Sequence, residues 1–383
     1  MNRRLAAATF GWGRRRQPNT ADETRSAGFH HQPKTTGSDR RVPLVVVTGC
    51  DTGLGYSLVV RYYCGASTAV GSDAVPGKIA VVALCLEGAE RLVDRLHRLS
   101  DEGSSGGCYG TGDGSYSSNS KCDLYAWSMD LRDPQSVRET ANRIQDLVET
   151  QNYKLHAVVN NAARMLMAEY EWQTTRLITE QFRVNVLGPM ELTSSLLPKV
   201  RCDRGRIINV LSHCAYVPLP GIAVYGATKA AVQAWTCGSR AENGGVSWIS
   251  FYPGSFYTHS SIMGGGGRRD GYYDEMSEAL TDEQREHYGQ YMRAYKEYLD
   301  MVDVAVPSQD EPVPNIDLYR FMDHALWSTR PKAEYRVPEP WRYRIYSTLA
   351  HVCSALGLHG WRDQLIRRFV CTPTFVSNRN KSA

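Results

Sequence analysis

The run PLVVVTGCDTGLG, Pro43 to Gly55, governs how the rest of the chain is read. Pro43 to Thr48 is short, apolar and β-branched with no polar alternation, which predicts a strand buried on both faces of a parallel sheet. Glycines 49, 53 and 55 mark a turn, and a helix-like stretch follows from Tyr56. In that order the backbone can come close to a diphosphate, and the helix N-terminus offers it unbonded N–H groups. Thr48, Gly49, Asp51, Thr52, Gly53, Leu54 and Gly55 are therefore candidate cofactor-binding residues. A plain glycine-rich loop is the competing reading, and the flanking strand and helix weigh against it.

Working outward, Ile79 to Leu86, Leu124 to Met129, Leu155 to Val159, Arg206 to Leu211 and Val246 to Tyr252 repeat the strand pattern, with helical segments such as Pro134 to Thr150 and Glu180 to Val200 between them. The alternation predicts an α/β fold, a Rossmann-type doubly wound parallel sheet of about seven strands with helices on both faces. Two Gly/Ser-rich stretches, Ala66 to Lys78 and Asp101 to Lys121, read as surface insertions away from the strands' carboxyl ends. From Ser260 the rhythm changes to charged, tyrosine-rich helices. The expected organisation is a basic segment over 1–41, a catalytic core over 42–262, and a C-terminal helical lid over 263–383 in the same domain.

Composition excludes more than it assigns. A net charge of +4 over 383 residues implies no nucleic-acid surface. Ten cysteines contain no Cys-x-x-Cys pair, which argues against a zinc site or a disulfide scaffold, so no metal site is expected. The first forty residues hold seven arginines, five of them by Arg16, and the first acid is Asp22. That start fits a mitochondrial transit peptide or a disordered basic tail, and an intracellular, mitochondrial or endoplasmic-reticulum-associated location stays open. Ile345 to Leu358 is apolar but too short to span a bilayer; core packing is the preferred reading, with interfacial membrane association the other. A homo-oligomer is a further open expectation.

Chemistry concentrates late in the core. Tyr225 and Lys229 are the chain's one Tyr-x-x-x-Lys step. On a helix that spacing puts both side chains on one face, where an ammonium favours the phenolate and pulls the tyrosine pKa down. Such a tyrosine can donate or accept the proton of an alcohol; a surface pair is the plain alternative. Ser212, upstream, can hold a substrate oxygen or be a loop serine. Asn185 lies mid-helix among apolar neighbours and either binds a proton-relaying water or satisfies a backbone carbonyl. Asp130 can accept from an adenine amino group. Asn160 and Ala162, in Asn160-Asn161-Ala162-Ala163, leave room for a flat cofactor. Pro253, Gly254 and Thr258 close the sixth strand, with Thr258 in reach of a carboxamide.

Together TGCDTGLG, Asp130, NNAA, Asn185, Ser212, YGATK and PGSFYT resemble, in order and spacing, the short-chain dehydrogenase/reductases over roughly residues 43–262. The text around Thr48–Asp51, Cys85–Glu90 and Leu196–Pro198 resembles their retinol, hydroxysteroid and 3-hydroxybutyrate dehydrogenase subfamily. Glu171-Trp172-Gln173 and Ser212–Ala215 further resemble its insect members, ecdysteroid-pathway enzymes among them. The resemblance implies NAD(P)-dependent exchange between a secondary alcohol and a ketone, or an alcohol and an aldehyde, on an apolar substrate such as a steroid or retinoid. It implies Tyr225 as acid/base, Lys229 as its activator and ribose ligand, Ser212 as positioner and Asn185 as the relay. Leu131 joins the cofactor residues, and His213, Tyr216 and Phe256 become substrate candidates. Glu87 ends the second strand with no cation beside it, which favours NAD over NADP. Two departures stand out: Ala163 replaces a usual glycine, and Cys237-Gly238-Ser239 with Asn243-Gly244-Gly245 weakens the helix behind Tyr225. Two other functions compete. One is a 3-hydroxyacid dehydrogenase with Arg164 facing the carboxylate; the other is a cofactor-bound scaffold without turnover.

Overall fold

The computed structural model describes residues 40–64, 76–101, 109–111, 115–117, 122–217, 219–242, 244–254, 259–263, 266–304 and 311–369. β1 (Pro43–Thr48) leads through the glycine turn into α1 (Gly53–Tyr63), then β2 (Ile79–Cys85) and α2 (Ala89–Asp101). A hairpin, β3 (Tyr109–Thr111) and β4 (Ser115–Ser117), precedes β5 (Cys122–Ser128), α3 (Pro134–Thr150) and β6 (Lys154–Asn160). Next come α4 (Thr175–Phe182), a π-helical turn (Arg183–Leu187), α5 (Gly188–Cys202), β7 (Arg206–Val210), α6 (Ala223–Glu242) and β8 (Ser247–Tyr252). The chain continues through α7 (Gly266–Ala279), α8 (Asp282–Val304), α9 (Ile316–Trp327), β9 (Glu334–Arg336), α10 (Trp341–Ala355) and α11 (His359–Phe369).

Among the described residues nine strands form one sheet in the order β3-β4-β5-β2-β1-β6-β7-β8-β9. From β5 to β9 all neighbours pair in parallel, as the apolar runs predict. The order reverses at β1, where an open α/β sheet has its ligand crevice. β3 and β4 pair antiparallel with each other and with β5, so part of the stretch read as a surface insertion extends the sheet edge. Most of the other insertion, 66–75, and of the basic start, 1–39, lies outside the described residues.

β1 shows why its sequence carries no polar alternation. Val45 and Val47 join the core beneath α1, α2 and α9, with Leu58, Leu96 and Met322. Leu44 and Val46 face α3 and α5, with Ile144 and Leu196. Each side is covered, so every position is apolar.

The C-terminal third divides in two. α7 and α8 pack through Tyr273, Met276, Tyr295 and Leu299 on Leu166, Trp172 and Leu177. α9 and β9 instead complete the sheet: Leu318, Met322 and Tyr335 lie in the main core, and Phe251 is paired with Tyr335.

The weakness expected in the second half of α6 is overturned, since the helix runs unbroken to Glu242. Buried Thr236 supplies the reason. Its Oγ1 donates to the Val232 carbonyl and accepts from Asn209 Nδ2 at 2.8 Å. Asn209 Oδ1 accepts from Asn160, which also donates to Thr193. A fully buried polar chain thus ties α6 to β7, β6 and α5 and outweighs poor local propensity. Asn209→Leu removes one hydrogen-bond partner from each of Asn160 and Thr236 and should cost about 2 kcal/mol or more. A urea midpoint equal to that of the wild type would count against this chain of bonds.

Candidate active site

The glycine turn is set by close packing. Gly49 has φ +71°, and a Cβ there would lie 2.7 Å from Ala162 Cα. A Cβ on Gly55 would run into the Gly49 carbonyl oxygen. Thr48 Oγ1 accepts from the N–H groups of Asn161 and Ala162, and Asn161 Nδ2 donates to the carbonyls of Thr48 and Gly49. β1 and β6 are thereby locked together at their carboxyl ends. Thr52, the α1 N-cap, makes no side-chain capping bond. Its hydroxyl is diverted to Ser261, bonding both Oγ and N–H there. The first turn of α1 carries no acid, so its N–H groups and positive dipole end face a cavity that Thr52 and Leu54 line. That donor set fits the diphosphate of a dinucleotide.

The cavity has a volume of about 670 Å³ and continues from Gly49 and Asp51 to Ser212, Tyr225 and Lys229. Ser212 leaves β7 with extended backbone and caps a short 3₁₀ turn through the Cys214 N–H. Lys229 is buried, and its Nζ donates to the Val210 carbonyl at 2.8 Å. That Nζ lies 5.7 Å from the centre of the Tyr225 ring. Burial lowers the Lys229 pKa to about 8. For Tyr225 the net direction is opposite to the sequence expectation. Burial, with Cys214 adding to it, holds the phenol well above its ordinary value, and the hydrogen bond with Ser212 offsets only part of this. Desolvation is the largest of these causes.

Asn185 sits in the π-helical turn between α4 and α5, a local irregularity that places its side chain inward. Its Oδ1 accepts from the Arg164 N–H, and its Nδ2 donates to the Arg164 carbonyl and to Thr228 Oγ1. The amide therefore braces the loop after β6 against α6, directly beside Tyr225.

A family model described as short chain dehydrogenase matches residues 116–262. Estradiol 17-beta-dehydrogenase 2 of Rattus norvegicus is 28% identical over 218 residues, 55% of this chain and 54% of that protein. Short-chain dehydrogenase/reductase family 9C member 7 of Mus musculus is 27% identical over 314 residues, 80% of this chain and 84% of that protein. The match thus spans about half the length of the first relative and most of the second. A short-chain dehydrogenase from Streptomyces avermitilis shares the fold, with a TM-score of 0.54 at 17% identity, covering 86% of this chain and 99% of that one. Over these regions the chain is similar to the short-chain dehydrogenases.

Against the family pattern, several expected residues occupy other roles. Asn160 does not face the cavity; Asn161 does. Strand parity explains it, because Asn160 falls with Val158 on the α5 side. Asp130 and Leu131 line the cavity, but Asp130 accepts three hydrogen bonds from the Arg132 guanidinium and one from its N–H. Against partial burial, these hold its carboxyl below the usual value. Glu87 is off the cavity wall and paired with Arg91, while Asp51 lines the cavity and accepts from the Leu86 and Glu87 N–H groups. Tyr216 also lies off the wall, bonded to Tyr252 and Glu334 between β8 and β9. His213 is on the wall, where burial lowers its pKa to about 4. Pro253 and Gly254 line the cavity, the latter at φ +77°; Phe256 and Thr258 lie outside the described residues. Sequence reasoning missed Tyr272, Tyr298 and Tyr343, which reach the cavity from α7, α8 and α10; no local motif marks them.

Lys229 gives the site a readable pH dependence. Its folded pKa of about 8 lies below the ordinary 10.5. Between these values the unfolded chain holds a proton that the folded chain lacks, so stability rises with pH across that window. Relative to Lys229→Met, the wild type should gain roughly 3 kcal/mol between pH 8 and 10.5. Parallel stability curves for the two proteins would contradict the buried lysine.

Proposed function

We propose that the protein is an NAD(P)-dependent oxidoreductase that interconverts a secondary alcohol and a ketone, or an alcohol and an aldehyde, on an apolar substrate such as a steroid or retinoid. The observation that carries this reading is a single cavity with two ends. One end is the uncapped N-terminus of α1, and the other gathers Ser212, Tyr225 and Lys229 among Leu219, Ile222 and Met263. Bound nicotinamide would exchange a hydride with the carbinol carbon.

In this reading the Tyr225 phenolate takes the alcohol proton during oxidation, and the resulting hydroxyl returns it during reduction. Ser212 holds the substrate oxygen beside the phenol. Lys229 contributes the one positive charge that the helix places within a turn of Tyr225, and it counters the burial that disfavours phenolate. Asn185 is a positioning residue that holds the Arg164 loop and Thr228. Leu219, Ile222 and Met263 give the reacting oxygen an apolar surround.

Arg164 bears on the hydroxyacid alternative. It lines the cavity, but its guanidinium is paired with Glu180 and stacked 4.3 Å over Tyr272. With that charge offset, the apolar substrate is the better supported reading. Asp51 on the cavity wall, beside the turn after β2, supports NAD over NADP.

The direct test is NAD reduction by the full chain against panels of steroids, retinoids and 3-hydroxyacids. Turnover is expected with an apolar secondary alcohol; turnover confined to hydroxyacids would overturn the substrate class. Tyr225→Phe should lose on the order of 10²-fold or more in kcat while still binding NAD. Undiminished turnover in that variant rules out the assigned acid/base, and its undiminished cellular role would favour a scaffold. Glu87→Arg, beside Arg91, should move the kcat/KM ratio toward NADP by about tenfold. An unmoved ratio would remove Glu87 from cofactor choice.

A further inference from the structure

α10 has two unlike faces. Tyr346 and Ala350 are buried against Val217 and against Ile366 of α11. Tyr343, on that side, lines the cavity and bonds His213. The outer face carries Trp341, Ile345, Leu349, Val352 and Leu356, each between 47% and 67% exposed. At about 100° per residue these five fall within an arc of about 80°. Core packing, the preferred expectation for Ile345 to Leu358, therefore holds only for the opposite face. Scattered exposed apolar residues are ordinary, but an aligned stripe marks an interaction surface.

The charge around the stripe selects its partner. On the same wheel Arg342 and Arg344 border the arc on its two sides. Trp361, 71% exposed, extends the apolar surface into α11, whose last turn holds Arg367 and Arg368. Between residues 341 and 369 the only acid is Asp363, and it is paired with Arg362. An apolar arc that begins at Trp341, edged by arginines and almost free of acids, matches a bilayer interface with anionic headgroups. Among the described residues no helix is long and apolar enough to cross a membrane, so the fit is to lying on the surface.

We propose that the α10–α11 hairpin docks on an anionic lipid surface, with the arc in the acyl boundary and the arginines at headgroup level. Because Tyr343 of the same helix forms cavity wall, docking would set the cavity beside the phase in which apolar alcohols dissolve. That consequence rests on the proposed substrate class; the docking does not.

The test is co-sedimentation of the full chain with phosphatidylcholine vesicles, with and without phosphatidylserine. The wild type should bind the phosphatidylserine vesicles, less so as salt rises. Ile345→Glu with Leu349→Glu should weaken that binding at least about tenfold with an unchanged circular dichroism spectrum. Arg342→Gln with Arg344→Gln should bring binding down toward the phosphatidylcholine level. A wild type that stays in the supernatant with both vesicles, or a glutamate variant that binds equally well, overturns the proposal. So does self-association that the glutamate pair abolishes without any vesicle binding, which would assign the arc to a second copy. NAD reduction is not read in this experiment, so its failure is separable from failure of the catalytic reading.

Discussion

The candidate active centre depends on one buried ammonium. Lys229 is 3% exposed, and its bond to the Val210 carbonyl fixes α6 over the carboxyl end of β7. Tyr225, one turn earlier on the same face, is thereby brought to Ser212, which follows β7 directly. A lysine so placed is costly to ionise, which its lowered pKa records. The fold tolerates this because the polar chain from Thr193 through Asn160 and Asn209 to Thr236 anchors the rest of α6. Rigidity behind the Tyr–Lys pair is therefore supplied across the sheet, from residues with no local signature.

The same sheet edge builds the cofactor end. Close approach of Gly49 to Ala162 and of Gly55 to the Gly49 carbonyl holds β1, α1 and β6 together without side chains in the way. Diverting Thr52 to Ser261 leaves the helix dipole without an internal cap. The ends proposed for nucleotide and for reaction thus share a wall, and tyrosines of α7, α8 and α10 also line the cavity.

Much of this was legible in the sequence because both faces of the parallel strands are covered, so β-branched runs such as Pro43 to Thr48 stand out. The glycine turn, Ser212, Tyr225 and Lys229 were legible for the same reason, as residues at fixed places around those strands. What failed needed three dimensions. Asn160 and Asn161 are neighbours in sequence, yet strand parity sends them to opposite faces. β9 is three residues long, and its one buried side chain, Tyr335, gives no period to detect. The tail of α6 reads as a poor helix because its stabilising partners lie on β7 and beyond. Tyr216 lies off the cavity and Tyr343 on it, because contact with the cavity is decided by how α10 returns across the 3₁₀ turn after Ser212.

Burial holds the Tyr225 phenol high, so the central claim is that a neighbouring cation makes it a usable base. The most direct measurement is the pH dependence of kcat/KM for oxidation of an apolar secondary alcohol in the wild type, Lys229→Arg and Lys229→Met. The account predicts a limb along which activity rises with pH. That limb should stay near its place with arginine and move upward by about one unit or more with methionine. A limb that occupies the same pH in all three proteins would contradict it.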